Sequence, residues 1–494
     1  MEARDPRRWW ILVVLCLSTL VLVIDNMVLT VAVPPLAEDL HASAQDTQWI
    51  LDSYILVFAG LLLTSGSLSD RFGRRRVMII GLALFGAASL LAPLASTPTE
   101  LVLARVVMGV GGALIMPSTL SILITVFDDA ERRRAMAAWS AVAMLGLVGG
   151  PVLGGVLIDA FWWGAVFLIN VPVAVLAIIA AVVLMPESKG PWRKADPLGA
   201  ILSAVGMTAL VWTIIELPKH GLADVRTLAT LTVAVAALAG FIVWERRTPS
   251  PMVPLILFRN RNFSGGSFAL TLVQIGNGGL LLVLTQYLQF VLGYSPMTAG
   301  LAFIPLALAS LMFNTIGAIL GQKIGNRAMA ATGLTVMAVA FAVLATVSAD
   351  DGFLVVGAGL LLLGAGGGLA MPAAISMLMG EVPPEQAGVG SALNDTIQQA
   401  GAALGVAILG SVVSGVFTSN MPANSPTSIG DALATGNPTL ATAARESFTT
   451  AMSTSFAITA CAVLAAAVLA LFVLRDRKPT TTPTEPNDRE LVAA

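Results

Sequence analysis

Long apolar runs alternate with short polar breaks along the whole chain. A helix needs roughly 20 mostly apolar residues to cross a bilayer. By that ruler fourteen spans are expected, at 9–33, 48–68, 76–94, 101–126, 135–157, 164–185, 197–217, 227–244, 266–290, 298–320, 328–347, 353–378, 388–415 and 450–474. The break between the seventh and eighth holds Glu216, Pro218 and Lys219. The pattern predicts an all-α polytopic membrane protein.

Composition agrees. Of 494 residues, 56% are hydrophobic and 11% charged, whereas soluble domains carry about 25% charged residues. Mean hydropathy is +0.86. Net charge is -2, with no nucleic-acid footprint. Cys16 and Cys461 lie in apolar runs and His41 and His220 stand alone in loops, so neither a disulfide framework nor a metal site is expected. Arg4, Arg7 and Arg8 before an apolar run resemble a signal peptide, but the run is long enough to span and carries Asp25 in place of a small-residue cleavage site. It reads as the first span, with Trp9 and Trp10 as interfacial anchors.

Charge placement sets the orientation. Of 27 Lys and Arg, only Lys219, Arg226 and Arg445 fall on one side, Arg105 lies inside the fourth span, and the rest share the other side. Basic loops stay cytoplasmic. Both termini are therefore expected in the cytoplasm, in a multi-pass protein of the cytoplasmic (inner) membrane.

The densest polar break is Gly66-Ser67-Leu68-Ser69-Asp70-Arg71-Phe72-Gly73-Arg74-Arg75-Arg76. It reads as a tight cytoplasmic turn in which Gly66 and Gly73 allow close approach, and Asp70 pairs with Arg71 or Arg74 or caps the next helix. A worn echo places Lys323, Gly325 and Arg327 where Arg71, Gly73 and Arg75 stand, with Gln322 in place of Asp70. The fourth and twelfth spans likewise repeat Gly111-Gly112-Ala113-Leu114-Ile115-Met116-Pro117 as Gly366-Gly367-Gly368-Leu369-Ala370-Met371-Pro372. Such repeats point to duplicated halves. The expected organisation is a six-helix bundle at 1–190, two inserted spans at 191–250, a second six-helix bundle at 251–478 and a disordered Thr/Pro-rich tail at 479–494.

In the fifth span Gly146, Gly150 and Gly154 recur every four residues beside Pro151. They form a smooth stripe for close helix packing, and Pro151 permits a bend.

Ionisable groups inside spans carry the chemistry. Asp25, Asp52, Arg105 and Asp395 each lie in apolar sequence, where a charge costs about 2.5–3.5 kcal/mol on insertion scales. Asp52 and Arg105 sit roughly 5 and 7 Å from the outer ends of their spans, close enough in depth to pair. Asp52 is thus either a proton site or a counter-ion. Asp395 lies among Asn394, Thr396, Gln398 and Gln399, which suit a protonating carboxylate or contact with cargo. Burial disfavours an ionised carboxylate, so such a group holds a proton until its cavity opens or a cation arrives. Acids in excess over bases favour cationic or neutral amphipathic cargo. Trp49, Tyr54, Phe58, Trp139, Trp212 and Tyr287 are candidate aromatic faces for it.

The break at 66–76, the run Leu103-Ala104-Arg105-Val106-Val107-Met108-Gly109-Val110-Gly111-Gly112 and the Gly-Pro stretch of the fifth span resemble motifs A, B and C of the major facilitator superfamily. Asp25-Asn26-Met27-Val28, Trp49-Ile50-Leu51-Asp52-Ser53-Tyr54, Asp196-Pro197-Leu198-Gly199 and Tyr287-Leu288-Gln289 look like its fourteen-helix drug:proton antiporter branch, which includes the QacA-type exporters. The resemblance implies the major facilitator fold, Asp70 and Arg71 in a cytoplasmic gate, Arg105 coupled to Asp25, and Gly150-Pro151 as the mark of an antiporter. QacA-type relatives carry two consecutive acids where this chain has Asn394-Asp395. An acid that some relatives carry in the tenth span has no match here, where Asn314 is the strongly polar candidate.

The expected function is proton-coupled export of lipophilic, cationic compounds by alternating access. The alternatives are a dedicated exporter of one antibiotic or metabolite and, more remotely, a non-transporting sensor or scaffold. No nucleotide-binding loop is present. The energy source is expected to be the proton motive force, with no cofactor and no enzymatic activity. The expected partners are lipophilic small molecules, protons and membrane lipids, for a protein acting as a monomer.

Overall fold

The structure is a computed structural model and describes residues 7–473 apart from 128, 190–195, 250, 252, 349–351, 383–386 and 424. Arg4, Arg193, Lys194 and the tail lie outside the described residues, as do the side chains of Arg132, Arg133 and Gln322. All regular structure among the described residues is helical.

The first seven helices are α1 (Arg8–Asp39), α2 (Ala44–Phe72), α3 (Arg74–Leu91), α4 (Pro98–Val126), α5 (Asp129–Ala160), α6 (Ala165–Leu168) and α7 (Asn170–Leu184). Next come α8 (Pro197–His220) and α9 (Val225–Arg247). The remainder are α10 (Arg261–Gln286), α11 (Pro296–Ala302), α12 (Ile304–Ile324), α13 (Asn326–Leu344), α14 (Phe353–Met379), α15 (Ala387–Asn420), α16 (Ile429–Ala434) and α17 (Pro438–Val473). Among the described residues, twelve helices are long and apolar enough to cross a membrane, or thirteen if bent α2 is one span. Every stretch expected to span falls on helix. Bent α2 turns by 52° between Leu62 and Thr64, and among the described residues of α5 the stretch Gly149–Ala160 is a shorter apolar helix.

Several boundaries differ from expectation. The stretch at 66–76 is almost wholly helical, because α2 continues through Phe72 and α3 begins at Arg74, leaving Gly73 as the turn. Gly73 has φ +111°, and its N–H donates to Ser69 O at 3.1 Å. The break at Glu216 and Pro218 does not interrupt α8, which runs to His220. The segment between the spans expected at 388–415 and 450–474 is itself partly helical, since α15 runs to Asn420 and the segment holds α16 and the first turns of α17.

Local chemistry explains where helices start. Ser43 and Asp46 form a capping box at α2, Asp46 N–H donating to Ser43 Oγ at 3.1 Å and Ser43 N–H to Asp46 Oδ2 at 3.0 Å. Asp196 caps α8 by accepting from Gly199 N–H at 2.8 Å and also accepts from Trp244 Nε1, which ties α8 to α9.

Helices α1–α7 share one buried apolar cluster, and α10–α17 share another. Within lipid, helices associate by close packing rather than by the hydrophobic effect. The two halves repeat that packing. Gly81 of α3 meets Gly111 of α4 as Gly333 of α13 meets Gly366 of α14, and Gly325 turns between α12 and α13 as Gly73 does between α2 and α3. Arg74, Arg75, Arg76, Lys323 and Arg327 flank these two turns and make theirs the basic face of the molecule. Gln289 donates to Val31 O at 2.9 Å, and Ser295 to Asp159 at 3.2 Å. These hydrogen bonds join the two halves toward the opposite face.

Candidate functional site

A buried ion pair forms where α1, α2, α4 and α7 converge. Arg105 Nη1 donates to Asp25 Oδ2 at 2.6 Å, with both side chains 1% exposed. The rest of the guanidinium is also engaged: Nε donates to Ile50 O at 3.3 Å, and Cζ lies 4.2 Å from the Tyr54 ring centroid. Asp25 Oδ1 accepts from Asn170 Nδ2 at 2.8 Å, and the same amide nitrogen lies 3.3 Å from Ser89 Oγ. The buried ion pair therefore has a donor on each carboxylate oxygen, the condition under which such a pair is tolerated in low dielectric.

Asp52 is not the partner of Arg105. It is fully buried, and neither carboxylate oxygen has a hydrogen-bond partner among the described residues. The physical reason is helical phase. Ile50 and Tyr54 face Arg105, while Asp52 lies about 200° away from Ile50. On its own stripe, Gln48 lies against Gly410 of α15, and Leu56 packs with Val211 and Ile215 of α8 and Ala403 and Ala407 of α15. Asp52 thus faces a seam between the first half, the second half and the inserted pair. Ser411 Oγ closes that seam by donating to Ile214 O at 2.7 Å.

Asp395 sits on α15, about 12 Å from the start of that helix at the basic face. Asn394 Nδ2 donates to Asp395 Oδ1 at 3.1 Å, and Asn394 Oδ1 is buried without a partner among the described residues. Asp395 itself is half-buried.

The aromatic candidates are not gathered around one cavity. Tyr287 is fully buried in the second-half cluster, its hydroxyl donating to Ser348 O at 2.8 Å, so in this conformation it packs rather than faces cargo. Tyr54 is buried against Arg105. Trp49 makes an edge contact with Trp212 at 5.2 Å in the α2–α8 seam. Trp139 is half-buried and donates to Thr19 Oγ1 at 2.8 Å, on the side of α1.

At the basic face Asp70 pairs with Arg74, at 2.9 Å to Nε and 2.8 Å to Nη2, and Arg71 lies over Phe72. A Cβ on Gly73 would lie 2.6 Å from Glu187 Oε1, the atom that accepts from Arg75 N–H at 3.1 Å. Gly66 is different, since a Cβ there would meet Pro117 at 3.8 Å, an ordinary contact. On α5 the stripe of Gly146, Gly150 and Gly154 packs on Leu20, Val23, Met27 and Val28 of α1. A Cβ on Gly150 would collide with Met27 Cβ. Pro151 O, on the same helix, lies against Gly300 of α11.

Residues 15–406 match the family model described as Major Facilitator Superfamily. The chain belongs to the major facilitator superfamily. It is 36% identical over 421 residues to the multidrug efflux pump LfrA of Mycolicibacterium smegmatis, covering 85% of this chain and 83% of that protein. It is 33% identical over 406 residues to the tetracenomycin C resistance and export protein of Streptomyces glaucescens, covering 82% and 76%. Its fold is similar to that of a bacterial homologue of the human lysosomal transporter Spinster in an inward-facing and occupied conformation, with TM-score 0.72, 17% identity, and 97% and 100% of the two chains covered.

Sequence reasoning missed three residues of this major facilitator chain: Asn170, Ser89 and Glu187. The signals were present but weak. Asn170 is a lone amide in the apolar run 164–185, and Glu187 is an acid just after that run, in reach of the basic turn.

Proposed function

We propose that the chain belongs to the fourteen-helix drug:proton antiporter branch and exports lipophilic cationic compounds across the cytoplasmic membrane, driven by the proton motive force. The observation that carries this reading is the buried Asp25–Arg105 pair, a carboxylate held inside the membrane at a junction of four helices. An intramembrane acid that can exchange its counter-cation for a proton is the minimum device for coupling. Asp395, half-buried beside Asn394, supplies a second negative centre for a cationic cargo. With the basic face in the cytoplasm, the hydrogen bonds from Gln289 to Val31 and from Ser295 to Asp159 lie on the outer side in this reading. Asp70, Arg71, Gly73 and Arg74 form the cytoplasmic gate in this reading. The protein acts as a monomer, with protons, lipophilic cargo and membrane lipids as its partners and no cofactor.

The test is ethidium efflux from proteoliposomes under an imposed pH gradient, comparing the intact protein with Asp25→Asn. Loss of gradient-driven efflux in the variant is expected; equal efflux at equal incorporation removes Asp25 as the coupling site. A second reading, export of a single antibiotic, draws on the likeness to the tetracenomycin C exporter. It predicts no ethidium transport by well-folded intact protein.

A further inference from the structure

The Asn170 side chain is fully buried, yet only half of its amide is used. Nδ2 donates to Asp25 Oδ1, while Oδ1 of Asn170 has no partner among the described residues. A buried amide oxygen left unsatisfied costs about 1–3 kcal/mol. Its position also matters: Asn170 is the first residue of α7, where the helix of the sixth span restarts after α6. The side chain thus links a helix break to the carboxylate of α1.

We propose that Asn170 is a positioning residue of the proton site, donating to Asp25 while that carboxylate is ionised and turning its unused amide oxygen to accept the proton once Asp25 is neutral. This rests on the reading of Asp25 as the proton-carrying group. The chemistry balances without a further reactant. An ionised carboxylate only accepts hydrogen bonds, and it receives Arg105 on Oδ2 and Asn170 on Oδ1. A proton added at Oδ1 becomes a donor facing an N–H, which is repulsive. A half-turn of the amide replaces that N–H by C=O and restores a hydrogen bond to Asp25, at the cost of the Nδ2 contact with Ser89 Oγ.

Among the described residues, Asn170 is the neutral side chain hydrogen-bonded directly to the Asp25 carboxylate. Arg105 from α4 stays charged, and Tyr54 from α2 covers the guanidinium. Ser89 from α3 is neutral, and α5 presents glycines to α1. Asp52 lies on the far side of α2, and Gln289 of the second half reaches Val31 rather than Asp25.

The experiment is an infrared pH titration of the full-length protein in nanodiscs, following the carboxyl C=O band that disappears in Asp25→Asn. Asn170→Ala removes the donor to the ionised form and the acceptor to the neutral form together, so its midpoint is expected to stay near that of the wild type; a rise of about one pH unit, a tenfold change in proton affinity, would mark a donor-only contact and overturn the turning amide. Asn170→Asp keeps the shape but sets an acceptor against Asp25, and its midpoint is expected to rise. A wild-type protein with no Asp25-dependent titration overturns the Asp25 reading and this proposal together. An Asp25 band that titrates identically in wild type and in folded Asn170→Asp overturns the proposal alone, and reduces Asn170 to packing.

Discussion

Arg105 Nη1 lies 2.6 Å from Asp25 Oδ2 with both side chains 1% exposed, so neither charge can fall back on water. Removing one member of such a pair costs about 3–5 kcal/mol, because the other is left buried and uncompensated. The two members are not equivalent. A lone carboxylate neutralises itself by taking a proton, whereas a guanidinium does not lose one. Asp25→Leu should therefore lower the melting temperature in detergent more than Arg105→Leu does. The double variant should recover part of the Asp25→Leu loss. Equal losses in the two single variants would count against the pair as the main electrostatic contact of Arg105.

Gly150 tests the packing that holds α1 beside α5. A Cβ at this position collides with Met27 Cβ, an atom that cannot swing away, while a Cβ at neighbouring Gly149 meets nothing within 4 Å. Gly150→Ala should cost about 1–3 kcal/mol as overpacking, and Gly149→Ala should be near neutral. Paired melting curves decide between this geometry and a general need for glycine on α5.

Gly73 has two reasons to be glycine. Its φ of +111° is costly for any residue with a side chain, and a Cβ would press on the Glu187 carboxylate. Gly73→Ala should lower both stability, by about 1–3 kcal/mol, and transport. Gly66→Ala, whose added atom finds ordinary contact, should leave both within about 0.5 kcal/mol or its kinetic equivalent. The sequence motif alone ranked these two glycines together.

How much of this was legible in the sequence depends on the kind of information needed. Membrane helices read well because an apolar run has one reading in lipid, and the repeat around Gly73 and Gly325 appeared as spacing alone. Asp25, Arg105 and Asp395 stood out because charge is rare in such runs. Partner choice was harder, since Asp52 and Arg105 matched in depth but helical phase sent Asp52 to the α8–α15 seam and gave Arg105 to Asp25. Depth is one coordinate; phase around the helix is another, and it is fixed only when neighbours are placed. Asn170 was missed for the same reason, as an amide has no meaning in a sequence until its partner is known.

Tyr287 illustrates how an aromatic residue in a resemblance motif can be structural. Its hydroxyl donates to Ser348 O at 2.8 Å inside the second-half cluster. Tyr287→Phe should cost about 1 kcal/mol of stability for the lost hydrogen bond. The ratio of efflux rates for a cationic and a neutral dye should stay as in wild type. A changed ratio would restore Tyr287 as a cargo contact.

Asp52 offers the sharpest separation of stability from activity. Its carboxylate is fully buried with neither oxygen partnered among the described residues, in a seam that holds Leu56, Val211, Ile215, Ala403 and Ala407 beside Gln48 and Ser411. Leaving a polar group unsatisfied in such surroundings costs about 1–3 kcal/mol, and an apolar side chain of similar shape removes that cost. Asp52→Leu should therefore be more stable than wild type and melt at a higher temperature in detergent. If Asp52 also carries a proton, the same variant should lose gradient-driven efflux, since Leu cannot titrate. Stabilisation with lost transport would mark a group kept for function against the preference of the fold. Destabilisation would instead show that the carboxylate has a partner in the resting protein, and the seam would then be held by that contact rather than by its apolar lining.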